Sequence, residues 1–180
     1  MGAAAAQYYN KEIERYVIGI LFSLKYQEWS EESRKVVRTV QSLDVSSDEL
    51  FVHKLVDATL VHNKLWAHIS NETEDNQLHY VYVSSYSENS LDKYGHAVSK
   101  RALEQVSVTS LLAPEYLIWN GHEFDPQKEN GSPSLITMEI ARMLLDHYIV
   151  KNETTYEIIY SVLDMDRKKV VFYLKEEVDL

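Results

Sequence analysis

The end of the chain constrains the fold most. Tyr156-Glu-Ile-Ile-Tyr-Ser-Val-Leu163 and Val170-Val-Phe-Tyr-Leu174 are runs of β-branched and aromatic residues, and the charged stretch Asp164-Met-Asp-Arg-Lys-Lys169 separates them. Such residues suit a pleated, half-buried surface, and two such runs around a short charged connection predict an antiparallel hairpin. Ahead of it, Ser132-Pro133-Ser134 opens an apolar pattern that continues to about Val150. Serine can cap the first free N–H groups of a helix, and proline at the first helical position gives up only an N–H that has no partner there. A helix is predicted, with Ile136, Ile140, Met143, Leu144 and Tyr148 inward. Helix then hairpin, closing a chain whose first third reads as helical, predicts the α+β class. The expected architecture is about five helices packed on a small, mostly antiparallel sheet that includes the C-terminal hairpin.

The helical reading of the first third rests on spacing. Tyr9, Ile13, Tyr16, Val17, Ile20 and Leu24 recur every three or four residues, which predicts a helix from Gln7 to about Gln27. Ser30 is a candidate cap for a second helix that buries Val36, Val37, Val40 and Leu43. Ser46-Ser-Asp-Glu49 matches the capping box, in which the serine side chain and the glutamate side chain satisfy each other's backbone N–H. The helix it opens is predicted to reach Ile69, with Phe51, Leu55, Ala58, His62, Leu65 and Ile69 as its apolar stripe. Leu78 to Tyr86 predicts a strand covered on both faces. A helix from Asn89 to Val106 follows, stopped before Pro114. Asn120-Gly121, between Tyr116-Leu-Ile-Trp119 and His122-Glu-Phe124, is the strongest short hairpin signal, although Pro126 limits its second arm.

A chain of 180 residues with 45% hydrophobic and 26% charged residues can bury a core, and no linker divides it, so residues 1–180 are expected to form one domain. Met1 to Ala6 reads as a leader outside the fold. The run from Tyr16 to Leu24 is far short of the roughly 20 apolar residues a bilayer span requires, so no membrane is expected. The absence of cysteine removes disulfides, thiolate nucleophiles and Cys-ligated metals, and points mildly to a reducing, cytoplasmic location. A net charge of −10 disfavours nucleic acid, whose affinity comes from phosphate neutralisation.

Catalytic chemistry finds little support. No nucleophile elbow or glycine-rich phosphate loop is present. His53 with Asp57 is a pair four residues apart on one helical face, the starting point for a His/carboxylate-dependent hydrolase, but no histidine pair has metal-binding spacing. No cofactor or metal is expected. Of the 20 aromatic residues 13 are tyrosine, and they concentrate on predicted strands. Tyr80, Tyr82 and Tyr86 share one face of their strand, and Tyr156 with Tyr160 one face of the terminal hairpin. With Trp119 and His122 beside the Asn-Gly turn, these seven residues are the candidate ligand or partner surface. The expectation is a non-enzymatic, cytoplasmic protein-binding or regulatory protein of inhibitor, immunity or adaptor type. It would engage another protein, a basic one if its acidic loops steer the encounter, through the tyrosine-rich sheet face. The alternative is a small-molecule sensor with a pocket between that face and the helices. Oligomeric state is not legible.

Overall fold

The computed structural model describes residues 20–105, 107–127 and 135–177. Among them, ten strands form one mixed sheet: β1 (Leu21–Ser30), β2 (Lys35–Ser46), β3 (Ala58–Val61), β4 (Lys64–Glu74), β5 (Leu78–Ser85), β6 (Ala113–Trp119), β7 (Phe124–Pro126), β8 (Tyr148–Lys151), β9 (Thr154–Asp164) and β10 (Lys169–Glu176). The spatial order is β2-β1-β5-β4-β3-β9-β10-β6-β7, with β8 paired to the first part of β9. Three pairings are parallel, β1 with β5, β3 with β9 and β6 with β10. Three α-helices accompany the sheet, α1 (Ser47–Leu55), α2 (Gly95–Glu104) and α3 (Thr137–Met143), and a 3-10 segment (Glu88–Tyr94) leads into α2. The expected five helices on a small sheet are therefore overturned: the sheet dominates and the helices are accessories.

The correction has a local cause. Residues 20–27 lead into and form β1, and the rest of the predicted first helix lies outside the described residues. The second predicted helix is β2. Two bulges between β1 and β2 break the strict alternation of side chains, and Val40 is one of the extra residues. A bulged strand carries apolar residues at spacings that mimic a helix, which is why Val36, Val37, Val40 and Leu43 misled. The third predicted helix starts correctly. Ser46 Oγ accepts from the Glu49 N–H at 3.3 Å, and the Glu49 carboxylate accepts from the Ser46 N–H at 2.9 Å. It ends at Leu55 instead of Ile69: Val56 turns extended (ψ 152°), Ala58 to Leu60 pair with β9, and His62 and Asn63 in left-handed conformations (φ 52° and 54°) turn β3 back on β4. That is the backbone of a type I′ hairpin, written here without glycine. His62 is thus an exposed turn residue and not part of an apolar stripe.

The helix expected after Tyr86 forms as the 3-10 segment followed by α2. Gly95 joins them where the Glu88 carbonyl oxygen approaches so closely that a Cβ would collide with it. Ser132 and Pro133 lie outside the described residues; α3 stops at Met143, and Tyr148 begins β8 instead of continuing the helix. Asn120-Gly121 does sit between two antiparallel strands, with Gly121 at φ 106°. Trp119 pairs with Phe124, so the loop has four residues instead of two. The terminal hairpin forms as expected, β9 antiparallel to β10.

The sheet has two faces. On the first, α2 lays Ala97, Val98 and Ala102 over Leu60, Leu117, Tyr160, Val162, Val171 and Tyr173. On the second, α1 and α3 cover Tyr116, Leu163, Val170, Phe172 and Leu174, while Leu50 of α1 reaches the cluster of Leu24, Tyr26, Val81 and Val83. The burial of these large side chains supplies the main driving force for the fold. No helix among the described residues is long and apolar enough to cross a membrane.

Candidate functional site

On the first face, α2 covers the half of the sheet built from β3, β9, β10, β6 and β7, and reaches only the start of β4 at Leu65. The half built from β2, β1, β5 and β4 presents Trp29, Tyr80 and Tyr82, none of which belongs to a buried cluster. Parallel pairing sets Lys25 beside Tyr80 and Gln27 beside Tyr82, and side chains two apart share a face, which brings Trp29 to Tyr82. Their ring centroids are 5.9 Å apart, edge to face, and Tyr80 stacks beside Tyr82 at 6.2 Å. On the other side antiparallel β4 brings Glu72 opposite Tyr80 and Glu74 opposite Leu78. The Tyr82 hydroxyl donates to the Glu72 carboxylate at 2.6 Å, and the Tyr80 hydroxyl to Glu74 at 3.0 Å. Its bond to Glu72, with partial burial, pushes the Tyr82 phenol up to about 12. Both phenols therefore stay protonated and hold the two carboxylates against the rings.

The remaining sequence-derived site residues scatter along the sheet. Tyr86 and Tyr160 meet edge to face at 5.9 Å beneath the edge of α2, where their hydroxyls donate to the carbonyls of Gly95 (3.1 Å) and Asp57 (3.4 Å). Tyr156 does not share their face. Tyr160 pairs with Tyr173 but Ile158 with Leu174, so Ile159 is an extra residue that rotates the strand before it. Tyr156 consequently packs on the second face, with Ile149 and Leu174. Trp119 lies at the far end of the first face against Tyr94 and Phe124, each at 5.1 Å. His122 is exposed in the β6–β7 loop, where it lines a cleft of about 410 Å³ with His96, Lys100 and Arg101. Lys100 there lies 3.5 Å from Glu123, and Arg101 Nε is buried without a hydrogen-bond partner.

The pair proposed for acid–base work does not form. Asp57 accepts from the backbone N–H and the hydroxyl of Ser161, at 2.8 and 2.7 Å. His53 turns the other way, and its Nδ1 lies 2.7 Å from the Tyr26 hydroxyl. Beyond Tyr26 the chain of polar groups continues through Thr59 Oγ1 (3.4 Å) to His68 Nε2 (2.8 Å from Thr59). Burial pulls His53 down to about 4 and His68 to about 3, with the two histidines opposing each other's charge at His68. The same burial raises the Tyr26 phenol above its usual range. Among the described residues, no group of three or more His, Cys, Asp or Glu side chains could hold a metal ion.

Sequence reasoning missed Trp29 and the Tyr26–His53–Thr59–His68 chain. Trp29 shows its role only once β1 and β5 pair. The polar chain joins side chains 27, 33 and 9 residues apart, with no local motif to announce it. Comparison with known proteins adds no assignment: no protein-family model, no curated protein and no solved structure matches this chain.

Proposed function

We propose that the protein is a non-enzymatic, cytoplasmic binding or regulatory protein whose open sheet face receives a basic segment of a partner protein. The observation that carries this reading is the grouping of Trp29, Tyr80 and Tyr82 with Glu72 and Glu74 on the first face of the sheet, outside every buried cluster. Aromatic faces attract ammonium and guanidinium groups, and carboxylates beside them supply charge-assisted hydrogen bonds. Asp44, opposite Ser23 on the same face, brings the carboxylates to three against the single ammonium of Lys25 at these positions. The overall charge of −10 strengthens attraction to a basic partner at long range.

Capture from lysate at low salt, followed by salt elution, tests the reading with a defined arginine-rich peptide as a parallel probe. Glu72→Gln with Glu74→Gln is expected to weaken peptide binding about ten-fold, and Tyr82→Ala by a similar factor. Binding that is absent at low salt, or that ignores all three changes, sinks it. The sensor alternative shifts location, because the space between the tyrosines and α2 is packed. Neither Tyr82 nor Tyr160 lines the clefts of 410 and 310 Å³.

A further inference from the structure

The second of those clefts, about 310 Å³, opens on the opposite face of the sheet between α1, the segment before β6 and the β9–β10 turn. Its walls are Leu43, Val52, Leu111, Leu112, Leu163 and Met165, and its inner polar group is His53. We infer that this cleft binds a small uncharged molecule with an apolar body and one carbonyl-type acceptor, which bonds to Nε2 of His53. The inference is independent of the aromatic face.

The direction of the internal hydrogen-bond chain decides what His53 offers. Were His53 to donate through Nδ1 to Tyr26, Tyr26 would donate to Thr59 and Thr59 to His68 Nε2. His68 would then carry its proton on Nδ1, and that atom is buried with no partner. A buried N–H without an acceptor is a rare and costly arrangement, whereas an unused acceptor is more readily tolerated. The chain therefore runs from His68 Nε2–H to Thr59, from Thr59 to Tyr26 and from Tyr26 to His53 Nδ1. A neutral His53 that accepts at Nδ1 must carry its proton on Nε2. His53 is 8% exposed and lines the cleft, so this N–H is its donor to a ligand.

The charged groups around the cleft already have partners, which argues against a charged ligand. Glu49 caps α1 through the Ser46 N–H, Asp164 holds Arg167 at 3.0 Å, and Lys168 donates to the Ser110 carbonyl at 3.3 Å. Bringing a further charge into the apolar part of the cleft would cost desolvation with no free counter-charge to offset it. A volume of this size suits a compact ligand of modest length.

Titration of the full chain with 2-octanone, observed through the histidine ring NMR resonances, tests the assignment. His53 is expected to shift saturably while the exposed His62 and His122 do not. Octanoate and octylammonium, of the same chain length, are expected to bind at least about ten-fold more weakly. His53→Gln, whose amide can accept from Tyr26 and still donate into the cleft, retains binding; His53→Leu loses about ten-fold. Should His53→Leu fail to fold, Leu111→Asp is the control. Leu111 is 77% exposed at the cleft, so the change leaves the core untouched while it charges the wall and weakens binding about ten-fold. No shift of His53 up to the solubility limit overturns the proposal. So does equal binding of the charged analogues, or 2-octanone binding that is indifferent to Leu111→Asp.

Discussion

Two deeply buried histidines contribute to the acid sensitivity of this protein. His53 and His68 are buried neutral, at about 4 and 3, while in the unfolded chain both return to about 6.5. Their folded values are lowered, so the unfolded chain binds more protons between these limits, and stability is full above about pH 6.5 and lost as pH falls toward 4. For His53 alone the linkage amounts to on the order of 3 kcal/mol. Thermal melts are expected to show a falling midpoint from pH 7 to pH 5, and His53→Gln should flatten that slope. An unchanged slope in the variant would show that His53 is not held neutral. The turn at His62 offers a second test at this scale. A histidine at φ 52° carries the left-handed penalty that glycine avoids, so His62→Gly is expected to raise unfolding stability by up to about 1 kcal/mol in denaturant titration.

At the scale of elements, the loop after α2 is tied to the sheet by a buried ion pair. Lys169 of β10 donates to Glu115 of β6 at 2.8 Å and to Ser107 at 2.6 Å, and Gln105 donates to the same Glu115 at 2.9 Å. Removal of the lysine alone strands a carboxylate, so Lys169→Met is expected to cost roughly 3 kcal/mol. The double change Lys169→Met with Glu115→Leu should recover part of that loss, since the desolvation of both charges disappears with them. A double variant no more stable than the single one would contradict the account. The bulge at Ile159 is the other decisive element-scale feature, because it sends Tyr156 and Tyr160 to opposite faces although four residues separate them.

For the whole molecule, the continuous sheet joins two halves of different character. One half is covered on both faces; the other carries an aromatic and acidic surface outside the buried clusters. β3 and α1 contribute to buried clusters of both halves, through Leu60 and Val61 and through Val52 and Leu50. Shared elements of this kind favour one cooperative transition. Trp29 and Trp66 report on one half and Trp119 on the other, so single-tryptophan variants should give coincident denaturation midpoints. Two separated midpoints would show that the halves unfold independently.

Local rules read in the sequence survived wherever the deciding physics was local. The capping box at Ser46, the strand from Leu78 and the terminal hairpin all rest on side chains within a few residues of the backbone they satisfy, and all three formed. The tyrosines of the first face were legible from alternation, but Tyr156 was not, because one inserted residue reverses alternation without any mark of its own. His62-Asn63, Asp75-Asn76 and Asn152-Glu153 reverse the chain in left-handed conformations that glycine usually announces, so β3, β4 and β8, the strands that lead into them, passed for helix or loop. What the tertiary structure alone decided was the company each side chain keeps: Trp29 with Tyr82, Tyr26 with His53, and the half of the sheet that α2 leaves uncovered. Those contacts depend on strand order, and strand order is set by burial summed over distant segments, which no short window of sequence contains.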